Sequence, residues 1–354
     1  MPIVSAVLIV LATVFVPRSD HGFWTAGPEM AQPVTDGLVA RLNDGRLLVA
    51  GGEAIVDGFP VRTAQIYDAA TDSWSYTGSM HAARIGGTAT TLQDGRILVV
   101  GGLGDMLRSL RSAEVFDPAT GTWTETQPLS HTRFAQSASL LADGRVLIVG
   151  GIVDGAISRT ALFFNPANGS WSEAPATTFL HAQQTSLTLS GGRILVAGGF
   201  GQRPEIYNSG RGRWAPQAPI PVRSHPVVLP LRTGSVLMAA GTGGQGHDLS
   251  SARVLDPATG KWAATGSMHK VRNQAIGAVL PDGRVLVAGG EQVTGHVLRS
   301  AEVYDPATGK WAATSPMTIS RDAGIVMNMP DGRVLVCGGM NFSGVLDSCE
   351  FYHP

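Results

Sequence analysis

Charge is scarce in this chain: charged residues make up 15% of 354, with 26 Lys and Arg against 27 Asp and Glu. No basic stripe points to a nucleic-acid partner, and there is no acidic tail. Cysteine is nearly missing, with Cys337 and Cys349 the two in the sequence. That is far too few for a disulfide-built scaffold. Catalytic signatures are missing as well: there is no Gly-x-Ser-x-Gly elbow, no Walker loop and no His-Glu-x-x-His pair. A long uncharged apolar run occurs once, in the first 16 residues, MPIVSAVLIVLATVFV. It is shorter than the roughly 20 residues a spanning helix needs. It resembles the apolar region of a secretory signal, although neither Lys nor Arg precedes it. We therefore expect residues 1–20 to be a signal peptide or membrane anchor and residues 21–354 to form the folded domain. The protein is then secreted or periplasmic, with membrane attachment only through its N-terminus.

Glycine and proline, by contrast, are plentiful at 45 and 21 residues, as in a chain full of tight turns. Seven tryptophans, Trp24, Trp74, Trp123, Trp171, Trp214, Trp262 and Trp311, follow one another at 50, 49, 48, 43, 48 and 49 residues. Around them a unit repeats. Asp282-Gly283-Arg284 between two apolar runs is a hairpin signal, because glycine accepts the positive φ the turn requires. The run Val-Leu-Val-Ala that follows ends at the diglycine Gly289-Gly290. Ala-Glu-Val-Tyr304 is a third strand, and Asp-Pro-Ala-Thr-Gly turns the chain into a fourth at Trp311. Four short antiparallel strands in sequence make one propeller blade.

Seven such hairpins occur, at Asp44, Asp94, Asp143, Gly191, Thr233, Asp282 and Asp331. The last unit stops at Pro354 before a tryptophan strand, whereas the chain opens with an unpaired one at Trp24. The expectation is an all-β, seven-bladed β-propeller, closed by an N-terminal strand that completes the last blade and leaves no open edge. With its diglycines, its aromatics at Tyr67, Phe116, Phe164, Tyr207, Tyr304 and Tyr352, and its tryptophans, the chain resembles the kelch-repeat superfamily of bacterial type. That resemblance implies the propeller fold. It says little about activity, since the superfamily includes peptide and sugar binders, a sugar mutarotase and copper oxidases.

Most recurring residues read as structural. The tryptophans mark packing between blades. The arginines after Asp-Gly, such as Arg46 and Arg96, belong to hairpin or inter-blade pairs, and Glu114, Glu205, Glu302 and Glu350 share one strand position. Cys337 and Cys349 replace alanines on neighbouring strands of the last hairpin. The sequence leaves open whether they form a disulfide or two buried thiols.

One aligned position, in the loop entering the first strand of each unit, holds Val34, Arg84, Arg133, His181, Arg223, Arg272 and Arg321. Placed around the channel mouth, these residues read as a ligand-binding ring whose guanidinium groups suit carboxylates, phosphates or sulfates. A structural role, bonding loop carbonyls, competes with that reading. His81, His131, His225 and His269 lie close by and are candidate metal ligands, although no fixed spacing supports a metal site. The loops after the diglycines vary most, as specificity loops on a rigid scaffold do.

The leading expectation is therefore an exported, non-catalytic, monomeric propeller, without cofactor, binding a peptide, protein, acidic glycan or small anion at an arginine-lined face. The alternative is a mutarotase-like isomerase acting on an acidic sugar in the same funnel, with Glu53, Glu291 and His181 as acid–base candidates.

Overall fold

The computed structural model describes residues 22–54, 58–201 and 203–354. The leader expectation for residues 1–20 lies outside the described residues. The fold is all-β and propeller-like, and two single-turn 3₁₀ segments, Asp105–Leu107 and Ser190–Gly192, are the only helical elements among the described residues.

Seven four-stranded antiparallel sheets follow the sequence repeat among the described residues, accompanied by three smaller sheets built from loops. Sheet one comprises Leu38–Arg41, Leu47–Ala50, Ala64–Asp68 and Ser73–Tyr76, and sheets two to six repeat this order. Second strands such as Leu47–Ala50, Ile97–Val100 and Val285–Ala288 are apolar and buried at every residue, because neighbouring sheets cover both of their faces. Fourth strands are mostly exposed, with the tryptophan turned inward. The Trp123 ring packs 5.0 Å from Phe116, and its indole N–H donates to the Gly78 carbonyl, just past the last strand of sheet one, at 2.6 Å. The tryptophans therefore pack between sheets, as the repeat implied.

At the outer end of the first hairpin, Gly45 takes φ 93° and Asp44 receives both the Arg46 backbone N–H at 3.0 Å and its Nε at 2.8 Å. The Asp-Gly-Arg arginines thus pair within their own turns.

The diglycine serves the joints between sheets. The second glycine donates its N–H to a carbonyl of the next unit: Gly52 to Arg84, Gly102 to Arg133, Gly151 to His181 and Gly290 to Arg321, all within 2.7–2.9 Å. A Cβ on Gly51 would lie 2.4 Å from the Arg84 carbonyl oxygen, so a side chain has no room there. The same bond runs from Gly339 to Val34 at 2.8 Å and joins the last unit to the first. One apolar cluster spans that joint, with Val34, Leu47 and Val49 packed on Ile325, Met327 and Leu335. Phe23–Ala26 pairs antiparallel with Cys349–His353 as the outer strand of sheet seven. In the same sheet Cys337 and Cys349 are directly opposed and joined as a disulfide, S–S 1.94 Å.

Candidate functional site

The aligned arginines are not a ligand-facing ring. Arg84 and Arg272 have no exposed surface, and Arg133, Arg223 and Arg321 have at most 3%. Each reaches back into its own sheet. Arg84 Nη1 donates to the Gly101 carbonyl at 2.8 Å, and its Nη2 meets Glu114 Oε1 at 2.6 Å. Arg272 repeats this with Gly289 and Glu302, and Arg321 with Gly338 and Glu350. Arg133 and Arg223 bond Gly150 and Ala240 in the same way, but Leu162 and Arg253 stand where the other sheets place glutamate. Burial with no carboxylate against them lowers both guanidinium pKa values to about 10. The anion-recognition expectation for Arg84, Arg133, Arg223, Arg272 and Arg321 is therefore corrected. The competing structural role holds, because these groups satisfy strand-end carbonyls that would otherwise be orphaned.

Most of the histidines are likewise engaged. His181, buried, meets Glu205 through Nε2 at 3.1 Å. His81 Nδ1 lies 3.0 Å from Glu114, and His269 Nδ1 lies 2.8 Å from Glu302. Burial works to raise the carboxyl pKa values of Glu114 and Glu302. Backbone N–H groups of His81 and Ala82, and of His269 and Lys270, together with the arginines, outweigh it and lower them. His131 pairs with Asp154 on the exposed rim at 2.6 Å. Among the described residues no three His, Cys, Asp or Glu side chains are grouped to hold a metal ion.

The polar mouth lies one and two residues further along the same loops. Asp36, Gly86, Ala135, Gln183, His225, Gln274 and Ala323 occupy one aligned position, and all seven take positive φ, from 45° to 66°. Part of the cause is a belt of backbone bonds between neighbouring loops: Ala135 N–H to Gly86 O and Gln183 N–H to Ala135 O at 2.8 Å, and Ala323 N–H to Gln274 O at 3.1 Å. Every non-glycine residue on this belt carries left-handed strain, which packed loops can sustain. The side chains differ from sheet to sheet, so the belt frames a mouth with distinct sides.

A cavity of about 370 Å³ opens there, lined by Asp36, His225 and Gln274 with the apolar Val39, Ile325 and Val326 beneath. Gln274 Nε2 donates to Glu291 Oε1 at 3.4 Å, which ties Glu291 to the cavity wall. Asp322, next to the belt, is 5% exposed, and its Oδ1 has no hydrogen-bond partner. Its pKa is raised to about 7, first by burial, then by the charges of Glu291 and Asp36. Asp36 is raised too, by its enclosure in the funnel and by Glu53. Desolvation lowers His225 against the opposing pull of Glu291. Two catalytic candidates from the sequence, Glu53 and Glu291, therefore stand beside this mouth, with His225 of the metal candidates, whereas His181 is sequestered below it. Sequence reasoning missed Asp36, Gln274 and Asp322. The available signal was variation: an aligned position that reads Asp, Gly, Ala, Gln, His, Gln and Ala is doing no common structural job with its side chain.

A larger cleft of about 460 Å³ between sheets two and three is lined by Arg96, Asp117 and Asn168 among others. Each of these three closes a turn, through Asp94, the Ala119 N–H and Ser170 respectively. The mouth, not this cleft, collects the unsatisfied carboxyl chemistry.

The family model for the kelch motif matches residues 84–130 and 275–318. The chain carries kelch repeats. Both matched segments contain a diglycine and a tryptophan strand, and the first opens at the buried Arg84, so the kelch signature falls on the joints described above. Among solved structures, a fungal alcohol oxidase of the AA5 family in complex with copper superposes on this kelch chain with a TM-score of 0.76. The two are 21% identical over 95% of this chain and 77% of that one, a likeness that shows the fold alone. No curated protein matches.

Proposed function

We propose that the chain is a seven-bladed propeller, closed by the Phe23–Ala26 strand, that binds a polar ligand at the carboxyl-lined mouth without transforming it. The observation that carries this is Asp322, a nearly buried carboxyl with an unpartnered oxygen beside the cavity, backed by Glu291 and Asp36. A carboxyl oxygen left without a partner beside further carboxyls, over an apolar floor, suits a hydroxyl or ammonium donor. They disfavour the acidic ligands that a guanidinium ring would have taken. The oxidising compartment implied by the Cys337–Cys349 disulfide supports export as part of the reading.

The runner-up is acid–base catalysis. Asp322 keeps its proton to about neutral pH and lies beside Glu291, and a protonated acid next to a second carboxyl is what a mutarotase-like isomerase would need. Neither cysteine is free to take part in copper chemistry like that of the fungal oxidase, because Cys337 and Cys349 are joined to each other. Among the described residues no three His, Cys, Asp or Glu side chains are grouped to hold a metal. We derive no step through a metal.

The test is a thermal-shift and calorimetric panel of neutral sugars, acidic sugars and polyamines on the full chain and on Asp36→Asn/Asp322→Asn. A ligand at about 100 times its Kd adds roughly 2.7 kcal/mol. The shift should come from a neutral or cationic compound and vanish in the double variant. A panel in which only acidic sugars bind, or in which the variant binds as well as the parent, sinks the reading. Anomer exchange followed by NMR settles the runner-up: acceleration that disappears in Glu291→Gln would establish the isomerase in place of the binder.

A further inference from the structure

The exposed large apolar side chains are not scattered. Phe59, Met106, Ile157, Phe200, Val293 and Phe342 sit on the loops after the diglycines in six different units, and are 52%, 73%, 37%, 49%, 64% and 81% exposed. Leu180 and Val271, also exposed, sit on loops entering first strands at the same end of the molecule. Bridges such as Thr35 with Glu53, Ile85 with Leu103 and Asn273 with Glu291 hold the two loop sets together, so all eight surround the mouth. Leu107, 50% exposed, shares the Met106 loop, and among the described residues the exposed large apolar side chains away from this face are Phe23 and Tyr76. Isolated exposed apolar residues are ordinary on a protein surface, but a set confined to one face around a polar centre marks an interaction surface.

Resting on the mouth reading above, we propose that this face docks a basic polypeptide segment, whose lysine or arginine side chain enters the carboxyl-lined cavity while flanking apolar side chains cover the crown. Charge complementarity selects the occupant. Asp36 lines the cavity, with Asp322, Glu291 and Glu53 close behind it. A long cationic side chain can lay its methylene stem along Val39, Ile325 and Val326 and present its charge to the carboxyls. Phenylalanine and methionine at the rim supply adaptable apolar contact, and the central pair supplies orientation and specificity.

The experiment is selection of phage-displayed random dodecapeptides on the immobilised full chain. The affinity of an enriched peptide is then measured by fluorescence anisotropy for the parent, Asp36→Asn/Asp322→Asn and Val293→Ser/Phe342→Ser. Enriched sequences should carry a central Lys or Arg flanked by apolar residues. The carboxyl variant should bind at least tenfold more weakly and the crown variant at least threefold more weakly, both with unchanged circular dichroism. Failure to enrich any peptide, enrichment of acidic ones, or affinities that neither variant changes would overturn the proposal. Recruitment of the chain to phosphatidylcholine vesicles that is lost in Val293→Ser/Phe342→Ser would also overturn it, by assigning the crown to a lipid surface. The mouth reading fails separately. If neutral sugars or polyamines bind through Asp36 and Asp322 while no peptide does, the mouth stands and the docking inference falls.

Discussion

Two kinds of buried charge meet at the residue scale. Arg272 and Glu302 neutralise each other inside sheet six, and removing one partner strands the other. We expect Arg272→Ala to destabilise the chain by roughly 3–5 kcal/mol in urea unfolding, with any loss of binding a consequence of unfolding. Arg133 has no such carboxylate, so Arg133→Met should be markedly milder than Arg272→Met in the same assay. Equal costs would mean that the carbonyl bonds, not the ion pair, dominate. Asp322 behaves in the opposite sense. Its carboxyl pKa is raised in the folded chain to about 7 from an ordinary value of 3.8, so the folded state holds the proton more tightly than the unfolded one. The stability that gives is complete below the ordinary carboxylate range and is lost as pH rises through about 7. The groups facing it are Glu291 and Asp36. Asp322→Asn should therefore raise Tm at pH 8 and leave it nearly unchanged at pH 4. A variant less stable at pH 8 would show that Asp322 is a structural anchor.

The element that differs from the other sheets is sheet seven, made from both ends of the described chain. Phe23–Ala26 covers Cys349–His353, whose backbone would otherwise be an open edge. Deletion of residues 1–26 should raise the apparent mass in size-exclusion chromatography coupled to light scattering; a folded truncation with an unchanged number of chains per particle would remove the edge-covering role of that strand. The disulfide in the same sheet closes a loop of 12 residues, for which loss of the constraint costs about 2–3 kcal/mol. Cys337→Ala/Cys349→Ala should lower Tm under non-reducing conditions and abolish the effect of dithiothreitol on the parent. If the reductant changes neither protein, the bond does not contribute to stability.

Across the whole molecule, the joints repeat and the mouth does not. Diglycine, buried arginine and tryptophan recur because each unit must solve the same problem of fastening one sheet to the next. A periodic sequence displays such solutions openly, which is why fold, turns and inter-sheet tryptophans were readable. The arginines were readable as a set but not in their direction. Whether a guanidinium turns into its own sheet or out to the channel depends on the partner waiting there, and Gly289 O and Glu302 are 17 and 30 residues away. The mouth was hardest to read. Asp36, Gln274, Glu291 and Asp322 come from the last two units and the first, which lie at opposite ends of the sequence, and the four share no common repeat position. Periodicity by itself thus determined the architecture, since apolar alternation and turn chemistry act over a few residues and each unit repeats them. Only the tertiary structure decided where charge is buried and where it stays unsatisfied, because desolvation and carboxyl–carboxyl coupling arise between residues that meet only when neighbouring sheets pack together.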